Sequence, residues 1–262
     1  MRPLLLSLLL VQTVAAASLD SAWIEYRFQN WRRADELFGR VLRDRTADAR
    51  DRLAARIGQA LTVQYRMPGA RPEKAAAMYR ALLGELGDTH PLALQLRLFL
   101  GQSCAQMRPA DTLQAHAQFD SVIAGPDALL AGQAVVDRAR LMVRTPTPEA
   151  IAATAEFLDR MLAEGRGAPA AGAMHELAAG LAAARGDLRA AREHVMRELD
   201  AGGYTQVARA TLLIQAARLS ETALRDTATA LVYYRRFVSE VPWDTRAYFC
   251  SLKVKELEGA KR

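Results

Sequence analysis

Residues 179–195, AGLAAARGDLRAAREHV, decide the fold. An alanine-rich run stops at Arg185-Gly186-Asp187, a combination that ends one helix and caps the next. A second apolar stripe then opens, with Ala191 followed four residues later by Val195. Two amphipathic helices joined by a tight turn cannot hide their apolar faces alone, so such a hairpin needs neighbours. Working outward, the Ala-x3-apolar pair recurs as Ala34/Phe38, Ala75/Tyr79, Ala115/Phe119, Ala153/Phe157, Ala191/Val195 and Ala230/Tyr234. The second members step by 41, 40, 38, 38 and 39 residues. A constant period in this range marks a stack of supersecondary units that bury their faces on one another.

Each period reads as two helices with a break between them. In the third unit Pro91 can start the first helix, and Leu94, Leu98, Gly101, Cys104 and Ala105 follow at helical spacing. Arg108-Pro109-Ala110-Asp111 interrupts it, and Leu113, Ala115, Phe119, Val122 and Ile123 form the stripe of the second helix. Gly125-Pro126-Asp127 closes that unit and caps the next. In the fourth unit Thr147 is placed as an N-cap and Pro148 in the first helical turn. No stretch alternates with period two, so no strands are expected.

These units resemble tetratricopeptide repeats. The fifth carries the pattern in Ala179, Gly186-Asp187-Leu188, Ala191 and Val195, and the sixth in Ala230, Tyr234, Phe237 and Pro242. The first has Asn30-Trp31, Ala34, Phe38 and Val41, while Gly58 and Gly101 hold the small position of the first helix in the second and third units. The resemblance covers about residues 20–242. It implies an all-α fold, a right-handed superhelical solenoid of about six antiparallel helix-turn-helix units, with each first helix lining the concave wall. The period of about 38–41 exceeds the family's usual 34 residues, which places extra residues near the inter-helix turns, as at Met67-Pro68-Gly69. A longer-period helical-hairpin solenoid is the structural alternative. Residues 243–262 are expected to form a C-terminal capping helix, N-capped by Asp244, with Tyr248, Phe249, Leu252 and Leu257 inward and Lys253, Lys255, Lys261 and Arg262 in solvent.

Residues 1–17 read as a secretion signal: a basic start at Arg2, an apolar run from Leu4 to Val11 too short for a membrane span, and Ala15-Ala16-Ala17 for cleavage after Ala17. The mature chain is then exported to the periplasm or beyond. Hydrophobic residues make up 51% but aromatics only 6%, a balance that favours close-packed, alanine-rich helices. The formal charge of +6 rests on 31 Arg and four Lys scattered among 29 acids. A nucleic-acid partner would call for basic residues on one face with interleaved aromatics, which the chain lacks. Cys104 and Cys250 lie three repeats or more apart, too far for a bridge in a linear stack, so two buried thiols are expected.

No catalytic constellation stands out. His175-Glu176 lacks the second histidine four residues on, since position 179 is Ala, and His194 across the helix pair would supply only a second nitrogen. Gly101-Gln102-Ser103-Cys104 lies on a helix and not at a nucleophile elbow. Gly165-Arg166-Gly167 has no Lys-Ser/Thr of a phosphate loop. Arg32-Arg33 and Arg235-Arg236 read as solvated helix faces. The chain is thus expected to be non-enzymatic and to need no metal or cofactor.

The concave wall is what remains. Two columns, counted from the small position of each first helix, place Gln59, Gln102, Arg140 and Arg218 in one row and Arg52, Gln95 and Gln133 in another. Amides and guanidinium groups suit an extended peptide backbone or a partner's carboxylates, and the glutamines favour the N-terminal half. The expectation is an exported scaffold that binds a protein or peptide partner in the cell envelope. The alternative is a non-catalytic subunit of an envelope or peptidoglycan enzyme system, or an outer-membrane assembly component.

Overall fold

A computed structural model describes residues 19–259. The predicted signal at residues 1–17 and the last three residues lie outside the described part. Among the described residues all regular structure is helical, and the chain divides into two compact units that meet at Val122 and Ile123.

The first unit holds α1 (19–27), α2 (Trp31–Arg43), α3 (Ala49–Tyr65), α4 (Pro72–Leu86), α5 (Ala93–Gln106) and α6 (Thr112–Ile123). Consecutive helices from α2 to α5 pack on one another. The Ala-x3-aromatic pairs supply the seam: Ala34, Phe38, Ala75, Tyr79, Ala115 and Phe119 are fully buried. Gly58 has to be glycine, because a Cβ there would run into the Phe38 ring of the preceding helix. Gly101 makes the same room for Phe119. Trp23 meets Phe38 edge-on, with ring centroids 5.0 Å apart, and closes the N-terminal end of this core. Arg56 and Glu85 pair bidentately at 2.6 Å across α3 and α4.

The second unit holds α7 (Ala128–Met142), α8 (Pro148–Ala163), a short 3-10 turn at Ala168–Ala170, α9 (Ala171–Ala184), α10 (Leu188–Ala201), α11 (Gln206–Arg218), a π turn at Leu219–Ala223, α12 (Thr227–Glu240) and α13 (Ala247–Gly259). Each helix packs on the next. Their starts follow local chemistry. Asp127, Thr147, Asp187, Thr205 and Asp226 each accept hydrogen bonds from backbone N–H groups of the first turn. Gly186 adopts φ +76°, the left-handed value that lets Asp187 cap the following helix so tightly. The longer turns, 66–71, 107–111 and 143–147, carry the extra residues that lengthen the period. Cys104 and Cys250 are buried free thiols, as expected.

Four expectations need correcting. In α8 Phe157 is buried as expected, but Ala153 is exposed, and the pair in register with the other repeats is Thr154/Leu158. Capping by Thr147 sets the helix rotation so that 154, 158 and 161 face inward, and the Thr154 hydroxyl donates to the Ala150 carbonyl at 2.7 Å. Leu113 is 84% exposed at the first turn of α6, outside the stripe. The α5 helix starts at Ala93, two residues after Pro91, because His90 Nδ1 accepts the Leu92 N–H and extends the turn. The C-terminal helix is rotated as well. Asp244 folds the turn by accepting Arg246 N–H, so α13 begins only at Ala247 and turns Cys250, Val254 and Leu257 toward the core. Leu257 is inward as expected, but Tyr248 is 73% exposed, Leu252 and Phe249 are half-exposed, with the Phe249 ring edge-on to Tyr234, and Lys253 is drawn in to Glu221 at 2.7 Å.

Candidate functional site

The predicted wall residues lie on first helices, two turns apart in each pair. Arg52 and Gln59 share α3, Gln95 and Gln102 share α5, and Gln133 and Arg140 share α7, with Arg218 at the end of α11. Several already have internal work. Arg52 donates to the carbonyls of Asp44 and Arg45, Gln59 donates to Asp35, Gln102 accepts from the Tyr65 hydroxyl, and Gln133 donates to Asp137 one turn along. Gln95, Arg140 and Arg218 are exposed.

A more enclosed feature lies in the second unit, on the same kind of helix face. A cleft of about 510 Å³ is lined by Glu176, Gly180 and Ala183 from α9, Ala191 and Glu198 from α10, Tyr204 from the following loop, and Ala208, Thr211, Leu212 and Gln215 from α11. Small residues on the facing helices leave the space open. Its floor is a carboxylate: Glu198 is only 5% exposed. The Tyr204 hydroxyl hydrogen-bonds Glu198 and rests over Gly172, where a Cβ would collide with it. Burial, reinforced by the charge of Glu176, pushes the Glu198 carboxyl up to about 7 despite the Tyr204 hydrogen bond.

The repeat frame shows why this is unusual. Seven residues after the small residue of each second helix stand Val41, Leu82, Val122, Met161 and Phe237, all buried. In the fifth unit that core position is Glu198, and the preceding slot, held by Phe38, Tyr79, Phe119, Leu158 or Tyr234 elsewhere, carries the smaller Val195. The Ala-x3-apolar pairs alone do not reveal it. The signal was there: one acid on an otherwise apolar repeat position.

Two other features stand out. His175 and His194 meet across α9 and α10 with their Nδ1 atoms 3.1 Å apart, so one neutral ring donates to the other. Burial lowers both pKa values, and the neighbouring imidazole lowers that of His175 further. Asp159 lies 3.9 Å from the other nitrogen of His194. Among the described residues no group of three or more His, Cys, Asp or Glu comes together to hold a metal. In the first unit an open depression of about 480 Å³ lies beside Gln64, Tyr65, Met67 and Arg108, and the buried Gln64 side chain accepts from Tyr79 at 2.9 Å.

No protein-family model matches the chain, and no curated protein matches it in sequence. Solved structures do match. PilW, described as a widely conserved type IV pilus biogenesis factor, is 17% identical, with 90% of this chain and 97% of that one covered and a TM-score of 0.55. Pseudomonas aeruginosa pilF is 14% identical, with 95% and 99% covered and a TM-score of 0.56. The similarity is one of fold. It agrees with the all-α, tetratricopeptide-like hairpin architecture read from the repeats, and no helix among the described residues is long and apolar enough to cross a membrane.

Proposed function

We propose that the protein is a non-enzymatic interaction scaffold of the cell envelope, exported by the segment 1–17 and binding a segment of a partner protein along the first-helix faces of its hairpins. The observation that carries this reading is the cleft between α9 and α11, formed on a first-helix face and floored by an acid in a position that other repeats give to the core. Natural sequences break their own packing rules at functional sites. The fold shared with PilW, a type IV pilus biogenesis factor, supports a role in assembling an envelope structure. Arg140 and Arg218, exposed on first helices of the same unit, supply further polar contacts to the partner's backbone or carboxylates.

The test is affinity capture from a detergent-treated envelope fraction of the source cell, with wild-type protein and the Arg140→Glu/Arg218→Glu variant side by side. The reading expects a discrete partner retained by the wild type and depleted by the variant. Equal recovery of the same proteins by both forms would remove these arginines from the binding surface, and recovery of none by the wild type would overturn the scaffold itself.

A further inference from the structure

Helical repeats pack by placing an apolar residue seven positions after the small residue of each second helix, as Val41, Leu82, Val122, Met161 and Phe237 do here. A carboxylate at that position costs desolvation that only a counter-charge or a full set of hydrogen bonds offsets. Glu198 accepts a hydrogen bond from the Tyr204 hydroxyl, and the charge that acts on its carboxyl is the like charge of Glu176. No Lys or Arg is among the residues that line the cleft. The other walls are Ala179, Gly180, Ala183, Ala208 and Leu212, small or apolar groups that suit the methylene stem of a long side chain. At the rim, on the exposed α11 face, stand Gln215 and Thr211, whose hydroxyl donates to the Val207 carbonyl and accepts from Arg246 at 3.3 Å.

The geometry points to a pocket for one basic side chain, Lys or Arg, carried by the partner's docking segment, with Glu198 as its buried counter-ion and Glu176 at the mouth. This inference rests on the scaffold reading and names the partner's chemistry. A volume of about 510 Å³ lies within the range of small-ligand sites, roughly 300–1,000 Å³. The docked cation supplies the charge that the repeat omits, and its stem covers the apolar walls.

The recognition carries a pH signature. The titratable groups that line the cleft beside Glu198 are Glu176 from α9 and Tyr204 from the loop; α11 turns only uncharged side chains into it, and Arg246 from α13's preceding turn reaches the rim at Thr211, 3.3 Å away. With its carboxyl near pH 7, Glu198 must shed a proton to pair with a cation in mildly acidic solution, so affinity falls as pH drops from 8 to 6.

The experiment titrates the 15N-labelled mature chain with N-acetyl-arginine amide, N-acetyl-lysine amide, the neutral isostere N-acetyl-citrulline amide, and spermidine. The expected result is amide shifts confined to Gly180, Thr211, Gln215 and the 202–204 segment for the two basic probes, with citrulline at least about tenfold weaker. Glu198→Gln, which keeps the acceptor for Tyr204, abolishes the response with the rest of the spectrum unchanged, and Glu176→Gln weakens it. Citrulline bound as well as arginine, or an undiminished response in Glu198→Gln, would overturn the proposal. Spermidine bound more tightly than either capped amino acid would reassign the pocket to a free small cation. The probes need no partner, so the two readings fail separately. Capture of partners with a silent titration withdraws the basic-side-chain pocket alone, and a positive titration with no partner captured withdraws the scaffold.

Discussion

Glu198 concentrates the physics of the molecule in one side chain. Its folded pKa of about 7 stands above the ordinary value of 4.5, so the fold holds the proton more tightly than the unfolded chain does. Stability from the neutral form is complete below about 4.5 and is lost as pH rises through 7. Replacing the acid by the residue type that other repeats use removes that loss. Glu198→Leu is therefore expected to be more stable than wild type by about 1–3 kcal/mol at pH 8, with the gap narrowing toward pH 5, in urea unfolding at the two pH values. A variant equally or less stable at pH 8 would mean that the carboxylate is well solvated or already paired. The position was visible in the sequence once the register was known, because Ala191, Val195 and Glu198 line up with Ala230, Tyr234 and Phe237. What the sequence could not reveal was Tyr204, which reaches Glu198 from a loop and depends on the missing Cβ of Gly172 for its place.

At the scale of elements, helix starts are legible wherever a cap fixes them, but the inward face is not always legible with them: α8, capped by Thr147 as expected, turns Thr154 inward and leaves Ala153 exposed. Thr147, Asp127 and Asp187 act as the sequence implies. The apolar pattern of α13 places Tyr248, Phe249, Leu252 and Leu257 inward, and of these Leu257 is buried. The helix starts instead after a turn built on Asp244, and the smaller Cys250 and Val254 face inward with Leu257. Side-chain size does not report rotation; the position of the first turn does. Asp226 shows how much a cap can carry. It accepts from the Thr229 backbone and from Arg192 on α10 at 2.7 Å, and these bonds hold its carboxyl at about 2. A depressed acid stabilises the fold above its ordinary value of 3.8, and the benefit disappears as pH falls through 2. Asp226→Ala should cost about 1 kcal/mol, the usual worth of a cap, because the group is too exposed for the Arg192 pair to add much. Urea midpoints at pH 7 measure it, and an unchanged midpoint would place the start of α12 under the control of packing alone.

For the whole molecule, the period of the apolar pairs announced helical hairpins, and the fold similarity to PilW and pilF at 17% and 14% identity agrees with that architecture while sharing little sequence. Packing constraints of this kind are met by many sequences, so the fold is readable when the partner is not. The polar columns were legible as surface, and within the chain Arg52, Gln59, Gln102 and Gln133 also make hydrogen bonds. The proposed site lies where a repeat departs from its own rule. Its most direct test is photo-cross-linking in the source cell with p-benzoyl-phenylalanine replacing Gln215 at the rim of the cleft, and, as a control, replacing the exposed Glu156 on α8. The account predicts a discrete protein adduct from position 215 that is lost on Glu198→Gln and absent from position 156. Adducts that are the same from both positions, or that survive loss of the Glu198 charge, would contradict it.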